Sequence, residues 1–373
     1  MSRFVPVAAI LAILSGSVWA AQTDWPANVP KVDITPVINR TEVAKGIYQF
    51  TVDSDGYVEE LNSTAIITDS DVLVFDTDTR PSTARAILAQ IKQITPKPVR
   101  YIVNSHWHPD HWSGNDVYME SFPGVEIIAN EQTREFMLDT AASEVTNLRE
   151  YFKGHDKRFA VKMASGKDAS GKTLSKQELT KAAYDHFQFR DLVNEQANLK
   201  HVFPTLTYTS EMILRHGGRE FHFMSVDGDA AGTTVLFLPN EKVLIAGDAA
   251  VAPLPTCGPN VRLHVKALRE LAKLDWDVLI PGHGPAFHDQ TYLNLEVDLM
   301  DEIDRQVNAA LRRGLVTIED VQAAVHVENF RDRFLHGQHR PSNDDFPVYV
   351  NTIARTCYLN AREGQEVHQS DLQ

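Results

Sequence analysis

The 373 residues carry 36 Lys+Arg against 50 Asp+Glu, a formal net charge of −14, with 43% hydrophobic and 23% charged residues. Those proportions describe a folded globular chain of one large domain or two ordinary ones. An acidic balance without any basic cluster excludes nucleic acid as the partner, and 18 Pro and 19 Gly in a chain of this length exclude low-complexity and fibrous architectures.

The start of the chain has the pattern of an export signal. Arg3 is followed by the apolar run VPVAAILAILSG and by Val18-Trp19-Ala20, small residues suited to cleavage after Ala20. The apolar run is shorter than the roughly 20 residues needed to span a bilayer. The expectation is a soluble, secreted or periplasmic protein with no stable membrane anchor after cleavage. Cys257 and Cys357 are the only cysteines. In an oxidising compartment they are either a disulfide pair or two small buried hydrophobes, and spacing alone does not choose.

In chain order, residues 21–45 read as an extended arm. GIYQFTVDS, STAIITDS and DVLVFDT follow as short strands rich in β-branched residues. STARAILAQIKQI (82–94) places Ile87, Leu88, Ile91 and Ile94 on one helical face, with Ser82 or Thr83 as the expected cap. PVRYIVNS and GVEIIAN are two further strands, and strand–helix–strand succession indicates an α/β fold. Residues 131–205 interrupt this rhythm as a mainly helical insertion. Strands resume at YTSEMILRHGG, REFHFMSVDG, TTVLFLP and KVLIAGD, then a helix (VRLHVKALRELAKL) and the strand DVLIPGHG. Helices near 290–313 and over 317–363 close the chain. Phe346 and Tyr349 on the last of them offer either a docking face on the core or a homodimer contact.

The densest chemistry is His106-Trp107-His108-Pro109-Asp110-His111, directly after PVRYIVNS. Three imidazoles and a carboxylate this close would repel if charged and lack partners if buried. A divalent metal resolves both difficulties, because neutral imidazole and carboxylate are favoured zinc ligands. The spacing serves two ions, with His106 and His108 projecting one way and Asp110 and His111 another.

HWHPDH matches the HxHxDH signature of the metallo-β-lactamase superfamily, which the chain resembles over roughly 45–130 and 206–312. LNSTAIITDSDVLVFDTD resembles the opening strands of that family, ending near Asp76. HWSGNDVYMESFPGVEIIAN resembles its Gly-Asn turn and following strand, IAGDAA supplies Asp248 as the metal-bridging aspartate, and LIPGHG supplies His283 as the last histidine ligand. The resemblance implies a four-layer αββα sandwich over 46–313, with the helical insertion inside it and a C-terminal helical extension over 314–373. It implies two Zn2+ held by loops at one edge of the sheets. Asp110, His111 and His283 would hold the second metal, and Asp110 would orient a hydroxide that attacks a small-molecule ester, lactone, amide or β-lactam.

One landmark departs. Where the family has His-Thr-x-Gly, 19 residues before the bridging aspartate, this chain has Asp229-Ala230-Ala231-Gly232. The register makes Asp229 the third ligand of the first metal; Asp227 and His222 are the neighbouring alternatives. With two divalent ions, the charges of Asp110, Asp229 and Asp248 leave a centre of net charge +1, one unit less positive than usual. A hard oxygen ligand also admits Mn or Fe at that position. Alkylsulfatases of the superfamily carry an acidic residue there, so sulfate- or phosphate-ester hydrolysis is the alternative activity. A non-catalytic metal-binding accessory protein is the other.

Three signals carry less. Gly166–Thr173 fits the Walker A pattern but lacks the buried strand a phosphate loop requires, so no nucleotide is expected. His155, His186, His201, His264 and His288 read as surface or helix residues rather than ligands, with His201 able to line the pocket beneath a lid. Trp107 and Trp112 either wall the site or pack beneath it.

Overall fold

The computed structural model describes residues 37–53, 61–168, 170–334 and 345–363, with 26–27, 29–31, 33 and 35. The expected leader, residues 1–20, lies outside the described residues, and so does most of the arm before 37. Among the described residues no helix is long and apolar enough to cross a membrane.

The elements run β1 (Val37–Ala44), β2 (Ile47–Asp53), β3 (Asn62–Ile67), β4 (Val72–Phe75), α1 (Pro81–Ile94), β5 (Val99–Val103), α2 (Pro109–Trp112), α3 (Asn115–Ser121) and β6 (Glu126–Asn130). The insertion follows as α4 (Glu131–Ser165) and α5 (Lys176–Ala197). Then come β7 (Leu206–Tyr208), β8 (Glu211–His216), β9 (Arg219–Val226), β10 (Thr233–Leu238), β11 (Val243–Gly247), α6 (Val261–Leu271), β12 (Val278–Pro281) and α7 (Thr291–Arg312). Among the described residues the C-terminal part holds α8 (Ile318–Ala323), α9 (Glu328–Arg331) and α10 (Asp345–Glu363), within the stretch expected to be helical.

Two sheets form, one in the order β1-β2-β3-β4-β5-β6-β7 and one in the order β12-β11-β10-β9-β8. Side-chain alternation along the strands explains how they stack. In β4, Val72 and Val74 pack outward against Ala84, Ile87, Leu88 and Ile91 of α1, while Leu73 and Phe75 point to the other sheet. In β10, Leu236 and Leu238 meet that same inter-sheet core, and Val235 and Phe237 face Val265, Leu268, Met300 and Ile303 of α6 and α7. The inner strands of both sheets are therefore buried on both faces, giving the four-layer αββα sandwich expected from the resemblance.

Three local expectations need correction, those on the arm, the cap of α1 and one strand. The 21–45 arm ends as an edge strand, because β1 pairs antiparallel with β2 across a tight turn at Gly46 (φ +71°). Neither Ser82 nor Thr83 caps α1. Arg80 is the N-cap, Pro81 takes the first turn, where its missing N–H costs nothing, and Ser82 is held instead by Glu195 of α5 (2.8 and 2.6 Å). YTSEMILRHGG is not one strand: β7 joins the first sheet beside β6 and β8 joins the second, with Thr209-Ser210 between them. Gly166–Thr173 is the turn between α4 and α5, with a helix rather than a strand before it. Cys257 and Cys357 are buried and unbridged in one apolar cluster, and Cys257 Sγ lies 3.6 Å from Thr356 Oγ1.

The turn after the HWHPDH stretch is locked by Gly114, where a Cβ would sit 2.1 Å from Thr77 O and 2.5 Å from the Ala84 Cβ. Gly114→Ala should therefore lower stability by about 1–3 kcal/mol through overpacking, read as a lower urea midpoint at unchanged slope. An unchanged midpoint would show that this turn can move away from α1.

Candidate metal centre

The site collects at the C-terminal ends of parallel strands, where open α/β sheets present their loops. From β5 the chain runs through Asn104-Ser105 into His106, Trp107 and His108. Pro109 then opens α2 and keeps His108 extended (φ −63°, ψ 138°). His106 and His108 thus precede the helix, His108 on extended backbone, while Asp110 and His111 ride a helical turn. That change of backbone is why the two pairs face different groups. From β11, Gly247 turns the chain at φ +50° to present Asp248, and from β12 Pro281-Gly282 presents His283. The β9–β10 loop brings Asp229 in, its N–H donating to Asp248 O at 3.2 Å. A Cβ on Gly282 would lie 1.7 Å from Asp248 Oδ1, so only glycine lets the two loops meet.

All seven residues singled out in the sequence come together as two groups of potential ligand atoms, His106, His108, Asp229 and Asp248 in one, Asp110, His111 and His283 in the other. In the first, His106 Nε2 is 2.8 Å from His108 Nδ1, which is 3.2 Å from Asp229 Oδ2. In the second, Asp110 Oδ2 is 3.1 Å from His111 Nε2 and 3.4 Å from His283 Nε2. Asp248 reaches both, with Oδ2 3.9 Å from His106 Nε2 and 3.4 Å from His283 Nε2, and Oδ1 3.5 Å from His111 Nε2. The alternatives to Asp229 are elsewhere: Asp227 is exposed, and His222 is engaged with Glu220 at 2.5 Å.

Burial and charge divide these side chains. Burial disfavours the charged forms of Asp110 and Asp248, but His111 and His283 outweigh it and hold both carboxyls well below their usual range. The reverse applies to His111 and His283: burial opposes their charge, yet the same carboxylates push them well above 6.5. Burial and the neighbouring imidazoles of His111 and His108 push His106 well below 6.5.

A residue that sequence reasoning passed over fixes the second group. Asp76, fully buried after β4, accepts from His111 Nδ1 at 2.7 Å and from the Ser105 N–H at 2.7 Å. Because Nδ1–H is turned to Asp76, Nε2 faces the Asp110 and Asp248 oxygens with its other valence, and among the described residues neither it nor Asp248 Oδ1 has a hydrogen-bond partner. A nitrogen lone pair and two carboxylates in contact are tolerable only with a cation or an added proton between them. The donor set fits a metal, and a carboxylate–histidine pair behind it is the usual support. Asp76 was visible only as the end of an opening strand, 35 residues from its partner.

The aromatic residues beside the motif pack rather than line an opening. Trp107 and Trp112 are 5% and 2% exposed and pack with Met137, Ala141 and Ala230. Trp112 donates to Trp107 O at 2.8 Å. His201 meets Trp112 edge-on at 5.6 Å and lines a separate cleft with Glu131, Arg134 and Glu135. Phe136 of α4 lies against Trp107 at 5.9 Å and remains 36% exposed, and Trp107 in turn meets His108 edge-on at 4.5 Å.

Asp76→Ala should weaken binding at the group containing His111 by about 10–100-fold, measured by competition against a chromophoric chelator; parental affinity would show that His111 needs no such support. In the metal-free protein the neighbouring carboxylates favour the protonated forms of His111 and His283 against their burial. Both imidazoles stabilise the fold most fully below about pH 6.5, and lose that contribution as pH rises through their folded values. Divalent metal uptake at pH 7 should therefore release protons and weaken on acidification. Calorimetry in two buffers of different ionisation enthalpy checks this, and equal heats in both would contradict it.

The sequence profile of the metallo-beta-lactamase superfamily matches residues 57–283. A linear primary-alkylsulfatase of Pseudomonas sp. (strain ATCC 19151) is 24% identical over 280 residues, covering 69% of this chain and 49% of that enzyme. The solved stereoselective inverting sec-alkylsulfatase from Pseudomonas sp. shares the fold, with a TM-score of 0.55 and 20% identity over 90% of this chain and 52% of that one. A metallo-beta-lactamase from Pontibacter korlensis is also similar, at 17% identity and a TM-score of 0.47, covering 70% of this chain and 99% of that one. The chain spans about half the length of the alkylsulfatases it matches. With well over half of its residues matched to the profile, the chain belongs to the metallo-beta-lactamase superfamily.

Proposed function

We propose that the protein is an exported, dinuclear metal-dependent hydrolase of alkyl sulfate esters. The observation that carries this reading is Asp229, a carboxylate in the position of a customary histidine, 3.2 Å from His108 in the first group. His106, His108 and Asp229 would hold one divalent ion, Asp110, His111 and His283 the other, and Asp248 would be shared. When bound, ions such as zinc, or Mn or Fe beside Asp229, supply Lewis acidity and bring the pKa of water toward neutrality.

The chain's own residues supply orientation and charge. Asp229 adds a negative charge that an all-histidine site lacks, so the loaded centre would be less positive and would hold an anionic substrate less tightly by charge alone. His111 and His283 both face Oδ2 of Asp110, leaving Oδ1 to orient the attacking water. Asp76 keeps His111 in one tautomer, so no proton is exchanged at Nδ1. The exposed face of Phe136, tilted against Trp107, would give an alkyl chain an apolar surface beside the sulfate position. The match to the primary-alkylsulfatase supports the same substrate class. The ester, lactone, amide and β-lactam reading uses the same seven residues, but no feature of this site favours a carboxylic substrate over a sulfate.

The metal-loaded protein should release inorganic sulfate from dodecyl sulfate, and Asp229→His should reduce that release at least tenfold. Turnover of a chromogenic cephalosporin or an aryl ester without sulfate release would replace this reading with carboxyl hydrolysis. No turnover of any of these by the fully metallated protein would favour the accessory protein.

A further inference from the structure

The loop 247–252 is the node of the centre. It carries Asp248, its Asp248 carbonyl accepts the Asp229 N–H, its Gly247 and Ala250 carbonyls accept the Gly282 N–H (2.8 and 3.1 Å), and its Ala252 N–H donates to His283 O at 3.1 Å. All three segments that meet there bear potential ligands. The underside of this loop rests on the helical layer, in apolar surroundings of Leu254, Val261, Leu293 and Leu295.

Two ionisable side chains reach the loop through that apolar layer. His264 of α6, 2% exposed, donates from Nε2 to Ala249 O at 3.0 Å, and its Nδ1 has no hydrogen-bond partner among the described residues. Glu296 of α7, 1% exposed, accepts the Val251 N–H at Oε1, 3.2 Å. A helix interior facing a core is ordinarily filled by aliphatic residues, since burying a polar side chain costs free energy unless it makes a hydrogen bond. Each of these makes one to the loop, on alternate residues, from two different helices.

We infer that His264 and Glu296 are positioning residues that clamp the 248–252 loop to the helical layer and so set where Asp248 stands between the two groups. This rests on the reading of Asp248 as a shared metal ligand. The clamp acts through backbone atoms, so its chemistry is specific: position 264 needs a donor at the reach of Nε2, and position 296 needs an acceptor at the reach of Oε1. Burial favours the neutral form of both side chains. That keeps the underside of a charge-rich centre free of a further unpaired charge.

The test compares donor- and acceptor-preserving variants with apolar ones in the full chain. His264→Gln and Glu296→Gln should keep zinc affinity within about threefold of the parent, whereas His264→Leu and Glu296→Met should lose about tenfold or more for at least one equivalent, in the range of lost ligand support. In the metal-free protein, hydrogen exchange at the Val251 amide should be at least tenfold faster in Glu296→Met than in Glu296→Gln. Parental zinc affinity and unchanged Val251 exchange in the apolar variants would overturn the clamp. Should the parent take up no zinc, the metalloenzyme reading fails separately, and Val251 exchange alone still decides the clamp. Should an apolar variant not fold, the Gln variants decide: a tenfold loss of zinc affinity in both would show that the hydrogen-bond partner is not what matters.

Discussion

Asp248 is the constraint on which the rest depends. Its carboxylate must approach His106, His111 and His283 at once, at 3.4–3.9 Å, while buried. A buried carboxylate is costly unless it is paired, and here the carboxylate and its partners come together from three separate stretches of chain, His106 and His111 on one, Asp248 on the second and His283 on the third. Each stretch follows the end of a different strand: β5, β11 and β12. The sheets converge on this point because β4, β5 and β6 run parallel in one and β11 and β12 run parallel in the other. Moving any of these strands by one residue would turn its loop away from Asp248.

The packing of the sandwich follows from the same demand. Strands buried on both faces, such as β4 and β10, tie helices to sheets and sheets to each other, so the loops have a rigid base. Glycines allow the closest approaches, with Gly282 against Asp248 and Gly114 against Thr77. The α4–α5 insertion is joined to that base through specific contacts, including Phe136 on Trp107, Glu195 on Ser82 and Gln196 on Thr79. The insertion therefore shapes what can approach His108 without belonging to the metal cluster itself.

Much of this was legible in the sequence, for physical reasons. Three histidines and an aspartate within six residues have few explanations besides metal, and the doubly buried strands left continuous apolar runs. Asp229 was legible because it keeps the register of a landmark whose residue type had changed. Asp76, His264 and Glu296 were not legible, because each acts on a residue far away in the chain, and an aspartate after a strand or a histidine on an amphipathic helix is unremarkable by itself. The cap of α1 was misplaced at Ser82 or Thr83 because the pattern recorded a good capping residue and not its competing partner, Glu195, in the insertion. β7 and β8 read as one strand because nothing in YTSEMILRH tells which sheet each half will meet. Pairing is decided by long-range packing, to which local propensity contributes little.

The central claim is that seven side chains hold two divalent ions and that Asp229 is one of the seven. Elemental analysis of the purified protein after zinc supplementation and removal of excess metal, alongside Asp229→Ala, tests it most directly. The account predicts two equivalents in the parent and about one in the variant. Two equivalents in both would remove Asp229 from the ligand set, and one equivalent or none in the parent would contradict the dinuclear centre.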